Sequence, residues 1–120
     1  MSKSSELGAW GEQRAAEYLI RKGYLLLERN YHSRYGEIDL ILEHGDYLIF
    51  AEVKLRKNDR YGNPAAFVTG KKQEKLRLTA LTYLQSHPTE KQPRFDVIEI
   101  YAPRGKETDP LPIHQIENAF

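Results

Sequence analysis

The segment Gly36–Arg56, GEIDLILEHGDYLIFAEVKLR, threads acids and a lysine through an otherwise apolar run. Such charges either face water or bind something, because an ionised side chain buried without a partner is expensive. The run reads as two strands joined at His44, Gly45 and Asp46, with Gly45 free to take the positive backbone angle of a tight turn. Residues two apart on a strand share a face. Glu37 and Asp39 therefore project together from the first arm, and Glu52, Lys54 and Arg56 from the second. Ile38, Leu40 and Leu42 with Ala51, Val53 and Leu55 make an apolar opposite face. Counting back from the turn sets Asp39 nearly across from Glu52.

Two neighbouring carboxylates repel and one pKa rises, unless a divalent cation satisfies both. Magnesium suits the arrangement, since it takes hard oxygen ligands and keeps waters that a substrate phosphate can replace. Lys54, on the same face as Glu52, could then hold a phosphate oxygen or orient an attacking water. The competing reading is a cross-strand ladder of ion pairs among Asp39, Glu52 and Lys54 on a solvated face. Phe50 and Ile41 share that face, a helix is available to cover it, and Glu12 also needs an inward cation; these weigh toward the metal site.

The elements that must position these residues follow from periodicity and punctuation. A first helix starts at a Ser4 or Ser5 cap and ends at Gly23, with Gly8, Glu12, Ala15, Ala16 and Leu19 on one side. Glu12 thus points inward among small and apolar residues. YLLLERN is a short strand and YHSRYG a loop before the charged hairpin. KNDRYGNPAAFV, with Gly62 and Pro64, reads as a mobile loop. A second helix is capped by Thr69 and stopped by Pro88, with an inward stripe of Leu76, Ala80 and Tyr83 that extends back to Lys72 and Gln73. Arg94–Tyr101 alternates as a strand, and the tail closes the core with a short helical turn. The crossover through the second helix lets the last strand join in parallel, so an α/β mixed sheet flanked by helices is expected, in one domain spanning residues 1–120.

Composition bounds the function. The chain has 120 residues, a net charge of +1 and no cysteine, which removes disulfides, thiolate metal sites and a cysteine nucleophile. No apolar run approaches the ~20 residues of a membrane span, no secretory signal is visible, and a cytoplasmic protein without membrane association is expected. Phosphate binding would have to be local, through Lys54, Arg56, Lys57 and Arg60 or through Lys71, Lys72, Lys75 and Arg77. Either cluster is also compatible with ordinary solvated surface.

Asp39, then Glu52-Val53-Lys54, with helical Glu12 in an αβββαβ order, resembles the PD-(D/E)XK nuclease superfamily with its restriction-endonuclease-like core. GEIDLI, FAEVKLR, KKQEKL and RFDVIEIY together resemble the bacterial YraN family, which is similar to archaeal Holliday-junction resolvases. The resemblance covers nearly the whole chain. Ile38 stands where the superfamily has its proline, a residue that shapes the strand and ligates nothing. The resemblance implies metal coordination by Asp39 and Glu52, water activation or phosphate contact by Lys54, a supporting acid at Glu12, and a phosphate-proximal pair in Lys72 and Gln73.

On this reading Mg²⁺ or Mn²⁺ is held by Asp39, Glu52 and the Val53 carbonyl, and Arg56, Lys57, Arg60 and Tyr61 follow the nucleic-acid backbone. The expected activity is an endonuclease on structured or damaged DNA, such as junctions or flaps, in repair or recombination. No base-reading motif is visible. The alternative is a non-catalytic nucleic-acid-binding protein that retains the fold. A homodimer is implied by the resemblance to resolvases. Trp10 is expected to cover the tail or its own helix, Leu78 and Leu81 to form a subunit contact or a second buried side, and Asp96 to pair structurally with Arg94.

Overall fold

The computed structural model of the protein describes residues 3–57 and 68–120. Its elements in chain order are helix α1 (Lys3–Arg21), strands β1 (Leu25–Ser33), β2 (Gly36–His44) and β3 (Tyr47–Arg56), helix α2 (Gly70–Ser86), strand β4 (Gln92–Tyr101), a 3₁₀ turn at Gly105–Glu107, and strand β5 (Ile113–Ile116). The strands form one mixed sheet in the order β1-β2-β3-β4-β5. β3 and β4 run parallel from Tyr47↔Gln92 to Arg56↔Tyr101, and every other pair is antiparallel. The parallel pair follows from the connection: a chain that leaves the end of β3 and returns through α2 re-enters the sheet at the same end.

Each helix covers one face. Ala15, Ala16 and Leu19 of α1 pack on Leu40, Leu42, Ile49, Ala51, Ile98 and Ile100. Leu76, Ala80 and Tyr83 of α2 pack on Ile41, Leu48, Phe50 and Val97. With both faces of β3 and β4 buried, their sequences must be apolar on every side, and the hydrophobic runs YLIFAEV and FDVIEI meet that demand except where a charge has a partner. Leu76, Ala80 and Tyr83, expected on the inward stripe of α2, are buried, together with Thr79. Leu81, by contrast, is 56% exposed.

Local signals place the ends. α1 stops at Gly23, whose φ of 92° lies where a side chain is strained, and Tyr24 N–H closes on the Leu19 carbonyl at 3.0 Å. Thr69 caps α2 by accepting from Lys72 N–H at 3.1 Å, and His87 N–H returns to the Tyr83 carbonyl at 2.8 Å.

Four expectations need correction. α1 already begins at Lys3, so Ser4 and Ser5 lie within the helix rather than capping it. β1 continues through Ser33, so the expected loop shrinks to a turn at Arg34 and Tyr35, held by Tyr35 N–H on Ser33 Oγ at 3.0 Å. The tail is not a helical turn against the core but a fifth strand: Ile100↔Ile113 to Val97↔Ile116 extends the sheet past β4, whose edge pairs a segment with no alternation of its own. Finally, Ile38 leaves the apolar face assigned to it and packs with Ile41 and Leu76 on the α2 side, while Leu40 stays on the α1 side. The strict alternation of β2 thus breaks at Asp39.

Candidate active site

That break has a visible cause. The β2–β3 ladder runs from His44↔Tyr47 to Leu40↔Ala51 and no farther. Beyond it, the next free N–H of β3 is taken by a side chain: Val53 N–H donates to Asp39 Oδ2 at 2.8 Å. The carboxylate stands in for a backbone carbonyl where the two strands part, which fixes it to β3 beside Glu52. The expected approach of Asp39 and Glu52 across the hairpin is what the register gives.

Asp39 is unusually placed for an acid. Burial pushes its carboxyl up to about 7, and the Glu52 charge adds to this, followed by Glu12 and Glu37, against the opposing pull of the Val53 N–H. Glu52, 8% exposed at its side chain, has two lysines: Lys72 Nζ at 2.7 Å and Lys54 Nζ at 3.7 Å from Oε1. The Lys54 ammonium is held below its ordinary value, by burial first and the Lys72 charge second, against the attraction of Glu52 and Asp39. Burial pulls Lys72 downward as well, but its hydrogen bond and charge pairing with Glu52 prevail and raise it. Two acids and two lysines therefore share one half-buried position, drawn from β2, β3 and the first turn of α2.

The remaining predicted residues divide. Glu12 reaches the site from α1; it accepts from Asn30 Nδ2 at 2.7 Å and acts on Asp39 through its charge. Gln73 turns away to donate to the Val68 carbonyl at 2.9 Å, a local bond that holds the approach to α2. Arg56 Nε donates to Glu99 Oε2 at 2.5 Å, and Lys57 is exposed. Arg60 and Tyr61 lie outside the described residues. Asp96 accepts two hydrogen bonds from Arg94 at 2.9 Å, as its structural reading expected, whereas Trp10, expected to cover the tail or its own helix, packs on the α1-side core.

Glu99 was not among the predicted residues. It is fully buried, pairs in register with Lys54, and accepts from both Arg56 and the Tyr101 hydroxyl. The alternation of Phe95, Val97, Glu99 and Tyr101 on one side of β4 is the signal that points to it, since a buried acid in that row demands a cation. A cleft of about 370 Å³ opens beside the site, lined by Glu37, Thr69, Lys71, Lys72 and Lys75.

The donor chemistry suits a hard divalent cation. Asp39 and Glu52 repel each other in a buried position, and a cation between them would reverse the sign of that interaction. Among the described residues, no group of three or more His, Asp or Glu side chains is gathered closely enough to hold a metal. A site here would therefore be of the kind with two carboxylates, completed by a carbonyl, waters and substrate oxygens, which is how magnesium is commonly held.

The fold and site define a mixed α/β protein, with a five-stranded sheet between two helices and a carboxylate–lysine cluster at a strand fork. The chain belongs to the uncharacterised protein family UPF0102, whose model matches residues 11–100; this is the YraN family its motifs resemble. It is 47% identical over 116 residues to a UPF0102 protein of Syntrophomonas wolfei, covering 96% of this chain and 97% of that one. A UPF0102 protein of Rhodococcus opacus is 41% identical over the full length of both, and one of Thermodesulfovibrio yellowstonii is 42% identical over 96% of each. Among the described residues, no helix is long and apolar enough to cross a membrane.

Proposed function

We propose that the protein is a metal-dependent phosphodiester hydrolase, an endonuclease on structured or damaged DNA, built on a restriction-endonuclease-like αβββαβ core to which β5 is added. The observation that carries this is the meeting of Asp39 and Glu52 at the β2–β3 fork with Lys54 and Lys72 beside them. A Mg²⁺ or Mn²⁺ held by Asp39, Glu52 and the Val53 carbonyl would neutralise charge on the phosphate and acidify a bound water.

The chain's own residues do the rest. Lys54, beside Glu52 on the same face, is suited to orient the attacking water or to hold a phosphate oxygen. Lys72 sits in the first turn of α2, where the helix amides favour anions, and its long side chain can exchange Glu52 for a phosphate oxygen. Lys71 and Lys75 line the cleft alongside and would hold the flanking backbone without reading bases.

The test is incubation of the full chain with single-stranded, duplex, flap and four-way-junction DNA in Mg²⁺ or Mn²⁺. Branched DNA should be cut, and Asp39→Ala and Lys54→Ala should each slow cleavage at least ~100-fold. The second reading, a binder without catalysis, is favoured by one feature: Lys72 at 2.7 Å already neutralises Glu52 without a metal. DNA binding with no metal-dependent cleavage by the wild type would decide for it.

A further inference from the structure

On the face of the sheet that carries Glu52 and Lys54, a larger cavity of about 710 Å³ lies at the far end of β3 and β4. Its wall includes Lys57, Tyr101, Arg104, Asp109, Pro112 and His114. We infer that this cavity is a nucleotide subsite, which receives one base and its phosphate from the nucleic-acid strand at the candidate active site. The inference rests on the nucleic-acid reading above and extends it to a second place on the molecule.

The volume falls in the range of small-molecule sites, roughly 300–1,000 Å³. The lining suits a flat heteroaromatic ring with an anionic neighbour. Tyr101 and His114 meet edge to face, with centroids 5.6 Å apart at 90°, and three prolines add apolar wall. Base–aromatic stacking is tolerant of sequence, as expected of a protein with no base-reading motif. Lys57 and Arg104 outnumber the single acid, Asp109, so the lining favours a phosphate on its rim.

The wall is built rather than incidental. Tyr101 N–H donates to the Pro112 carbonyl at 3.0 Å, Ala102 N–H to the Arg56 carbonyl at 2.7 Å, and Arg104 N–H to Thr108 Oγ1 at 3.0 Å. Beneath it, Glu99 accepts from both Arg56 and the Tyr101 hydroxyl. That gives the buried acid a purpose: it is a positioning residue that locks the ring of Tyr101 and the guanidinium of Arg56 in one arrangement. Arg56 and Tyr101 are in register, and Glu52 lies four residues back along β3, about 13 Å at the strand's rise. This is the span of roughly four stacked nucleotides, so one strand can occupy both places.

The experiment is an amide-resolved NMR titration of the full chain, without metal, with deoxyadenosine monophosphate, and in parallel with deoxyadenosine and with inorganic phosphate. The monophosphate is expected to shift Tyr101, Arg104 and His114, with Kd about 1 mM, and more tightly than either half. Arg104→Ala and His114→Ala, both exposed positions, should each weaken it about five- to tenfold. Equal effects from phosphate alone, shifts confined to Lys71–Lys75, or no shifts at this cavity would each overturn the inference. Since neither metal nor cleavage enters, a silent titration beside metal-dependent cutting removes the subsite and leaves the hydrolase. Binding here by a protein that cuts nothing does the reverse.

Discussion

Asp39→Asn should make the protein more stable at pH 8 while abolishing its response to divalent metal. The folded-state pKa of Asp39 is about 7, above the 3.8 of an unperturbed aspartate. The folded chain therefore binds the proton more tightly than the unfolded one. Its contribution to stability is complete below about pH 4 and is lost as pH rises through 7. At about 1.36 kcal/mol per pH unit, the interval corresponds to about 4 kcal/mol withheld from the ionised protein. Asparagine keeps an oxygen for the Val53 N–H and carries no charge. Allowing for the weaker neutral hydrogen bond, the variant should gain about 2–3 kcal/mol at pH 8 and almost nothing at pH 4.

Urea unfolding of both proteins at pH 4, 6 and 8 measures this, since titrating groups remote from the fork cancel in the difference and those coupled to Asp39 are part of the effect. In a second arm, Mn²⁺ at a hundred times its Kd should stabilise the wild type by about 2.7 kcal/mol and the variant far less. A difference that does not vary with pH, or an asparagine variant that is weaker at pH 8, would refute the electrostatic reasoning. Equal metal response in the two proteins would refute the placement of the cation.

Removing Lys72 with Lys72→Met leaves Glu52 to Lys54 alone among the described lysines and should cost about 1–3 kcal/mol in thermal or chemical unfolding. The same change removes a repelling charge from Lys54, so its pKa should rise, observable by NMR titration of the ammonium. Thr79→Val breaks the bond of the buried Oγ1 to Ser33 Oγ at 2.8 Å, which ties α2 to the β1–β2 turn. About 1–2 kcal/mol should be lost, with an unchanged urea m-value. Gly45→Ala puts a side chain at φ 58° and should cost about 1–2 kcal/mol, read from the same unfolding curves.

Most of the frame was legible because it rests on local rules. Thr69 and Gly23 mark helix ends by capping chemistry, and the Gly45 turn sets the hairpin register that brings Asp39 toward Glu52. What escaped depends on contacts remote in the chain. IHQI is too short to declare itself a strand without β4 beside it. Ile38 changes faces because Asp39 spends its carboxylate on a β3 amide, and alternation alone cannot foresee that. Glu99 had the right alternation in plain view, yet its significance depends on Arg56 and Tyr101 arriving from the neighbouring strand and two residues on. Gln73 fits the inward stripe of α2 but is claimed by the Val68 carbonyl, a competitor visible only once the helix entry is built.

The two bonds at the fork have opposite consequences, and together they support the proposed functional role of the cluster over a purely stabilising one. Val53 N–H pins Asp39 where its charge is least welcome, so the fold carries a cost that an amide would remove. Lys72 neutralises Glu52 but comes from a half-exposed position on a different element, so that neutralisation can be withdrawn without disturbing the sheet. A purely structural ion-pair ladder would be expected to match each acid with its own cation. Here the lysine contacts within ion-pair distance fall on Glu52, and Asp39 is held by an amide, with no lysine within ion-pair distance of it among the described residues. An arrangement that leaves one carboxylate frustrated and attaches the other to a detachable cation has the character of a site waiting for a positive charge from outside the chain.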